Sequence, residues 1–218
     1  MNMLANPIET ITRRHSTRSY LPKPLEPSVR KELYNFINSM DNGPFNQKIK
    51  FQLIEKDIKN KNLLTLNYGM ITNHFNYILG VSEKDRLSRM NYGYFLENIV
   101  LKATELELAT CWIGYFDSSF FSDFALPDGF EIPSIIIIGY PTEKPSLGQR
   151  FTRLSVNASK RNEWEKIFFL DNFNTPLIPD QAGIYRQVLE MVRLAPSSGN
   201  TQPWRIILNQ EKQAFYFF

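Results

Sequence analysis

Along the chain, apolar positions switch repeatedly between a helical period and the alternation of a strand. Residues 6–14, NPIETITRR, predict a short helix with Pro7 in its first turn and Ile8 and Ile11 on one face. The stretch HSTRSYLPKPLEP is polar and carries three prolines, so it cannot be regular structure throughout. Ser28 then offers an N-cap to a helix whose apolar row is Val29, Leu33, Phe36, Ile37 and Met40. DNGPFN stops that helix, and KIKFQLIEK alternates as a strand. Residues 57–67 are weakly periodic and fit a helix or a loop, while residues 75–81, FNYILGV, predict a second strand.

Residues 92–108, YGYFLENIVLKATELEL, carry the clearest helical period. Phe95, Ile99, Ala103 and Leu106 form one row, widened by Leu96, Val100 and Leu101, which predicts a helix central to a core. ATCWIGYFDSSFFSDFALPDG runs from a strand into a short helix with Asp117 or Ser118 as N-cap and Pro127-Asp128-Gly129 as its end. In EIPSIIIIGYP, four consecutive isoleucines predict a strand covered on both faces. Residues 142–165 turn polar and basic, with Lys144, Arg150, Arg153, Lys160 and Arg161. After WEKIFF and a proline-bounded loop come a helix at about 181–194, the loop PSSGNTQPW, and a hairpin from RIILNQ and AFYFF. So apolar an ending calls for pairing within a sheet or for further chain.

An internal echo follows from this reading. Helix, polar turn and strand occur in that order at 29–56 and again at 184–212. Asn46 and Asn200 hold similar places 154 positions apart, and Leu53–Ile54 match Ile207–Leu208 at the same offset. A duplication produces such a pattern, and so does a common arrangement arising twice.

Composition narrows the chemistry. At 43% hydrophobic over 218 residues, the chain can bury the core of one large domain or of two intimate halves. Its 25 basic and 22 acidic residues are interleaved, which argues against a nucleic-acid-binding stripe. His15, His74 and the single Cys111 are too few for a Cys/His zinc site, an iron–sulfur cluster or an intramolecular disulfide. The ten glycines form neither G-x-G-x-x-G nor G-x-x-x-x-G-K-[ST], so a phosphate would need side-chain cations or helix ends. No apolar run approaches the roughly 20 residues of a membrane span. The start, MNMLANPIETITRR, places an acid and two arginines where a signal peptide has its apolar core, so a soluble cytoplasmic protein is expected.

Two clusters can carry chemistry. Arg13, Arg14, His15, Ser16, Thr17 and Arg18 bring together three guanidiniums and two hydroxyls. Arg14 and Arg18 share a face if the helix continues, and the planar guanidinium fork suits a phosphate, although a solvated basic corner reads the same way. In APSSGNTQPWR, residues 195–205, a helix ends at a proline and opens a loop of hydroxyls and amides. Such a loop can meet a polar heterocycle or be a plain turn.

Together these segments resemble a known family. RRHSTRSY resembles the flavin-binding opening of the FMN-dependent nitroreductases, and APSSGNTQPWR resembles their second signature. ENIVLKATELELATCWIGYFD is similar to the family's long central helix and following strand, and IPSIIIIGYPTEKP to its late core strand, so the resemblance covers most of the chain. It implies an α+β fold with a central, mostly antiparallel sheet flanked by helices. One departure stands out. In typical members the second signature follows the arginine segment within one short helix and turn, where this chain has the degraded Asn42-Gly43-Pro44-Phe45-Asn46-Gln47. Typical members are homodimers that draw the arginine segment and the loop from different subunits. The resemblance therefore implies an internally duplicated, single-chain pseudo-dimer. Its first half would span residues 1–165 and its partial second half 166–218, as one compact unit, a monomer with one FMN site per chain.

Residue by residue, the resemblance implies that Arg14, His15, Ser16 and Arg18 hold the FMN phosphate and the flavin edge. It implies that Pro196, Ser197, Ser198 and Asn200 cover the isoalloxazine, and that Lys160 and Arg161, with Arg153 as a competitor, serve the phosphate. The amides of Gly114 and Tyr115 match the strand end facing the flavin N5, and Tyr68 and Gly69 match the pyrimidine side. The implied activity is ping-pong hydride transfer from NADH or NADPH to a nitroaromatic, a quinone or a similar electron-poor small molecule, with no catalytic side chain and no metal. His15 reads as a hydrogen-bonding partner and Cys111 as a core residue. Neither nucleic acid nor membrane is an expected partner. The alternative is an FMN-binding protein without useful turnover, a flavin store or sensor.

Overall fold

The structure, a computed structural model, describes residues 4–41, 43–47, 49–55, 71, 73, 75–117, 121, 124, 126–144, 154 and 157–218. The chain divides into two compact units, Met1–Thr152 and Arg153–Phe218.

The first unit begins with helices α1 (Pro7–Arg13) and α2 (Pro27–Ser39), followed by strands β1 (Phe51–Glu55), β2 (Asn76–Gly80) and β3 (Ser82–Glu83). Helix α3 (Arg86–Glu105) then leads to β4 (Ala109–Ile113), β5 (Phe130–Glu131) and β6 (Ile135–Gly139). Four of the strands form an antiparallel sheet in the order β1-β2-β6-β4, while β3 pairs with β5.

β6 explains why the sheet is central. Flanked by β2 and β4, it has all four isoleucines fully buried. Ile136 and Ile138 join a cluster with Phe95 and Ile99 of α3, while Ile135 and Ile137 join one with Tyr20, Tyr77 and Cys111. The period of two sends alternate side chains to opposite faces, and each face finds its own cover. Burying one such side chain contributes about 1.5–3 kcal/mol.

Two helix starts differ from the sequence expectation. α2 begins at Pro27, not after a Ser28 cap, because proline has no amide to satisfy at a helix start; Glu26 precedes it without a side-chain cap. α3 starts at Arg86, ahead of the apolar periodicity that begins at residue 92. The Asp85 carboxylate accepts from the amides of Leu87 (2.9 Å) and Ser88 (3.1 Å), and this cap adds a polar first turn. The expected elements at 57–67 and after Asp117 lie outside the described residues or nearly so.

The second unit contains short 3-10 turns at Trp164–Lys166, Pro179–Tyr185 and Ser198–Asn200, and helix α4 (Arg186–Arg193). Its strands are β7 (Phe168–Leu170), β8 (Ile206–Asn209) and β9 (Ala214–Phe217). β8 lies between β7, parallel to it, and β9, antiparallel to it. The apolar end of the sequence is thereby paired, with Phe215 opposite Leu208. Trp164, Ile167, Phe168, Leu189 and Ile206 form this unit's own core, and the rings of Trp164 and Phe168 are 4.4 Å apart. A boundary at residue 165 would cut through that core, so the unit starts at Arg153 and the chain has two compact units where one was expected.

The echo seen in the sequence has a geometric counterpart. α2 ends at Ser39 and α4 at Arg193, 154 positions apart. At the same offset, the Asn46 amide donates to Gly43 O (2.9 Å) and the Asn200 amide to Ser197 O (3.1 Å). Both asparagines are left-handed, at φ 55° and 57°.

Candidate functional site

In the first unit, the arginine segment is held by β4. α1 stops at Arg13, and Arg14 is extended at φ −59° and ψ 130°, so Arg14 and Arg18 do not share a helix face as a continued helix would have placed them. The segment runs instead alongside the sheet. The Thr17 amide donates to Thr110 O (2.9 Å), Ser16 bridges Thr110, and the Leu21 amide donates to Tyr140 O (2.9 Å). Tyr20 anchors it from below: it is buried, and its hydroxyl donates to Thr17 O at 2.7 Å.

Arg14 is buried, with its Nε 3.8 Å from Glu97 Oε1 on α3. The other oxygen of Glu97 accepts from Trp112 Nε1 at 2.8 Å. Burial pushes the Glu97 carboxyl up, and the Arg14 charge and the Trp112 hydrogen bond only partly oppose it. Burial also raises the Cys111 thiol on β4, against the opposing fields of Arg18 and Arg14. Both guanidiniums therefore act on the same strand, and Cys111 is a core thiol.

Beside them lies a cleft of about 150 Å³ lined by Arg13, Arg14, His15, Thr17 and Glu107 among others. Arg13 pairs with Glu107 (3.0 Å) and donates to Thr104 O (2.8 Å), while His15 is exposed with Nδ1 3.2 Å from Arg13 O. Farther along, the end of β4 is open. Gly114 is exposed, a Cβ added there would meet nothing within 4 Å, and Tyr115 is 72% exposed. Tyr68, Gly69 and Arg153 lie outside the described residues.

The second unit gathers Lys160, Arg161, Ser197 and Asn200. Asn200 donates from Nδ2 to Asn157 O (2.8 Å) and Lys160 O (3.0 Å). Arg161 Nη1 donates to Ala158 O (3.0 Å), Lys160 O (3.1 Å) and Asn200 Oδ1 (3.3 Å). Its Nε and Nη2 both donate to Leu194 O, the C-cap of α4, at 3.4 and 3.3 Å. The Ser197 hydroxyl accepts from the Gln202 amide at 2.9 Å, Ser198 and Lys160 are exposed, and Pro196 is half-buried.

Sequence reasoning missed three participants. Gln202 is 3% exposed at the hub of this network; its Oε1 accepts from the Asn162 amide (2.8 Å) and its Nε2 donates to Asn200 O (3.2 Å). Glu97 is a charged residue inside the most apolar helical stretch, a signal that could have marked it. Asn91, buried on α3, contacts the 43–47 turn.

Among the described residues, no helix is long and apolar enough to cross a membrane. The sequence matches a family model described as "Putative TM nitroreductase" over residues 6–216. Among solved structures, one described as a "putative nitroreductase" of Thermotoga maritima shares 24% identity at a TM-score of 0.56, over 95% of this chain and 73% of that one. A Bacteroides fragilis nitroreductase with bound FMN shares 17% at 0.53, over 66% and 92%. An FMN-dependent nitroreductase of Clostridium difficile shares 20% at 0.52, over 64% and 90%. At these identities the likeness is one of fold. No curated protein matches.

Proposed function

Since this chain belongs to the nitroreductase family, we propose that it is an FMN-dependent oxidoreductase that takes electrons from NADH or NADPH. Its acceptors on this reading are nitroaromatics, quinones or similar electron-poor small molecules. The observation that carries the reading is the family match over residues 6–216, which takes in both the RRHSTR segment and the PSSGN loop.

The donor set suits the cofactor. Arg14 and Arg18 supply the cations a terminal phosphate needs in a chain without a glycine loop, and Ser16 adds a hydroxyl. Because the segment is hydrogen-bonded to β4 and anchored by Tyr20, these groups are held in place before any ligand arrives. His15, lining the same cleft, is assigned to the flavin edge. The open end of β4 lets a flat ring approach the backbone at Gly114 and Tyr115. Pro196, Ser197, Ser198 and Asn200 are assigned to the ring, and the exposed Lys160 to the phosphate. Bound FMN supplies the hydride-accepting and hydride-donating centre that no side chain of this protein offers. The same reading makes the protein a soluble, cytoplasmic monomer with one flavin per chain.

The test is spectroscopic. Purified protein should be yellow, bleach anaerobically with NADH or NADPH, and regain colour with a nitroaromatic or a quinone. A yellow protein that neither nicotinamide bleaches is a flavin store or sensor instead. A colourless protein that takes up no added FMN overturns both readings.

A further inference from the structure

We infer that Arg161 is a positioning residue that locks the Ser197–Asn200 loop, and not a ligand of the flavin phosphate. The inference deepens the flavin reading above and rests on it. A guanidinium grips a phosphate through its Nε/Nη2 edge or its Nη1/Nη2 edge; here Nε and Nη2 both hold the Leu194 carbonyl at the end of α4 and Nη1 is held by neighbouring oxygens, so both edges are engaged. Helix C-terminal carbonyls lack intrahelical partners and carry partial negative charge, so Arg161 satisfies this one electrostatically. The remaining nitrogen, Nη1, reaches the Ala158 carbonyl and the Asn200 side chain. One residue thus ties the helix end, the 157–160 turn and the loop asparagine together.

The loop needs such a tie. Gly199, Asn200 and Gln202 are all left-handed, at φ 58°, 57° and 48°, and the two that are not glycine pay a steric penalty in that region. Asn200 keeps its conformation with its amide clamped by Arg161 on one side and by the Asn157 and Lys160 carbonyls on the other. A loop ordered in advance loses less entropy when a ligand docks. Lys160, whose side chain is exposed beside this clamp, is then the cation of the pair assigned to the phosphate.

Riboflavin, which lacks the phosphate, separates a positioning role from a ligand role. We expect Arg161→Lys, which keeps the charge but loses the fork, to weaken FMN and riboflavin by the same factor, about tenfold. Arg18→Ala serves as the phosphate control and should weaken FMN selectively. Loss confined to FMN in Arg161→Ala with recovery in Arg161→Lys would mean that the charge meets the phosphate, and would overturn the inference. Unchanged affinity for both flavins in Arg161→Lys overturns it equally. Hydrogen exchange keeps the inference testable if the wild-type chain takes up no flavin, the result that defeats the functional reading alone. In Arg161→Lys, amides 200–202 should exchange about tenfold faster while β8 amides keep their rates. Unchanged exchange at 200–202 defeats the inference independently of any flavin.

Discussion

The turn at 43–47 and the turn at 197–201 have one backbone design and different surroundings. Each follows a helix, closes with an amide-to-carbonyl bond three residues back, and places an asparagine in the left-handed region. At 43–47, however, Asn91 of α3 packs into the turn. Its Oδ1 accepts from the Phe45 amide (3.4 Å), its Nδ2 donates to Gln47 O, and it occupies the space where a side chain on residue 43 would go. At 197–201 the fixing groups come from residues 157–162 and from Gln202, and Ser198 stays exposed. The first turn is filled by a side chain of α3, and the second leaves polar groups exposed.

Substitutions in the two turns should separate them. The largest effect is expected from Gly43→Ser, which gives the first turn the residue found at 197. The new Cβ collides with the buried Asn91 amide, and urea unfolding should show a loss of about 3 kcal/mol. Preserved stability would mean that Asn91 yields easily and that the first turn is not plugged. In the second turn, Gln202→Ala strips partners from the half-buried Asn162 amide and the Asn200 carbonyl, and should cost about 2 kcal/mol by the same measurement. Gly199→Ala meets no atom closer than 3.9 Å, so only its left-handed backbone opposes it, and about 1 kcal/mol is expected. If Gly43→Ser and Gly199→Ala cost the same, the contrast between a filled turn and an open one fails.

The smallest effect is electrostatic and belongs to the arginine segment. Because burial raises the folded-state pKa of Glu97, its contribution to stability is fully present below the unfolded value of about 4.3. That contribution is lost as pH rises through the folded value. Glu97→Gln should therefore flatten the fall in unfolding free energy just above that pH. An unaltered pH profile in Glu97→Gln would place the slope in other groups.

What could be read from the sequence depended on how local its cause was. The isoleucines of β6, the apolar row of α3 and the β8–β9 hairpin follow from periodicity, a property of neighbouring residues. The start of α3 was missed because its signal is one capping carboxylate ahead of polar residues that carry no period. β7 was missed because a three-residue strand becomes visible only through its parallel partner β8, far along the chain. The candidate site divides in the same way. The two signatures lie open in the sequence, but the extended path of Arg14–Arg18 depends on β4, and the engagement of Arg161 depends on a carbonyl and an amide 33 and 39 positions away. A cation in a sequence announces its charge and not its partner.

Under the proposed function, the chain holds one flavin, and the second turn rather than the first serves it. Titration of the flavin-free chain with FMN, followed by flavin fluorescence, tests this most directly. Saturation at one FMN per chain is the predicted result, with uptake diminished in both Arg18→Ala and Ser198→Ala. No uptake, or saturation at two per chain, would overturn the one-site reading.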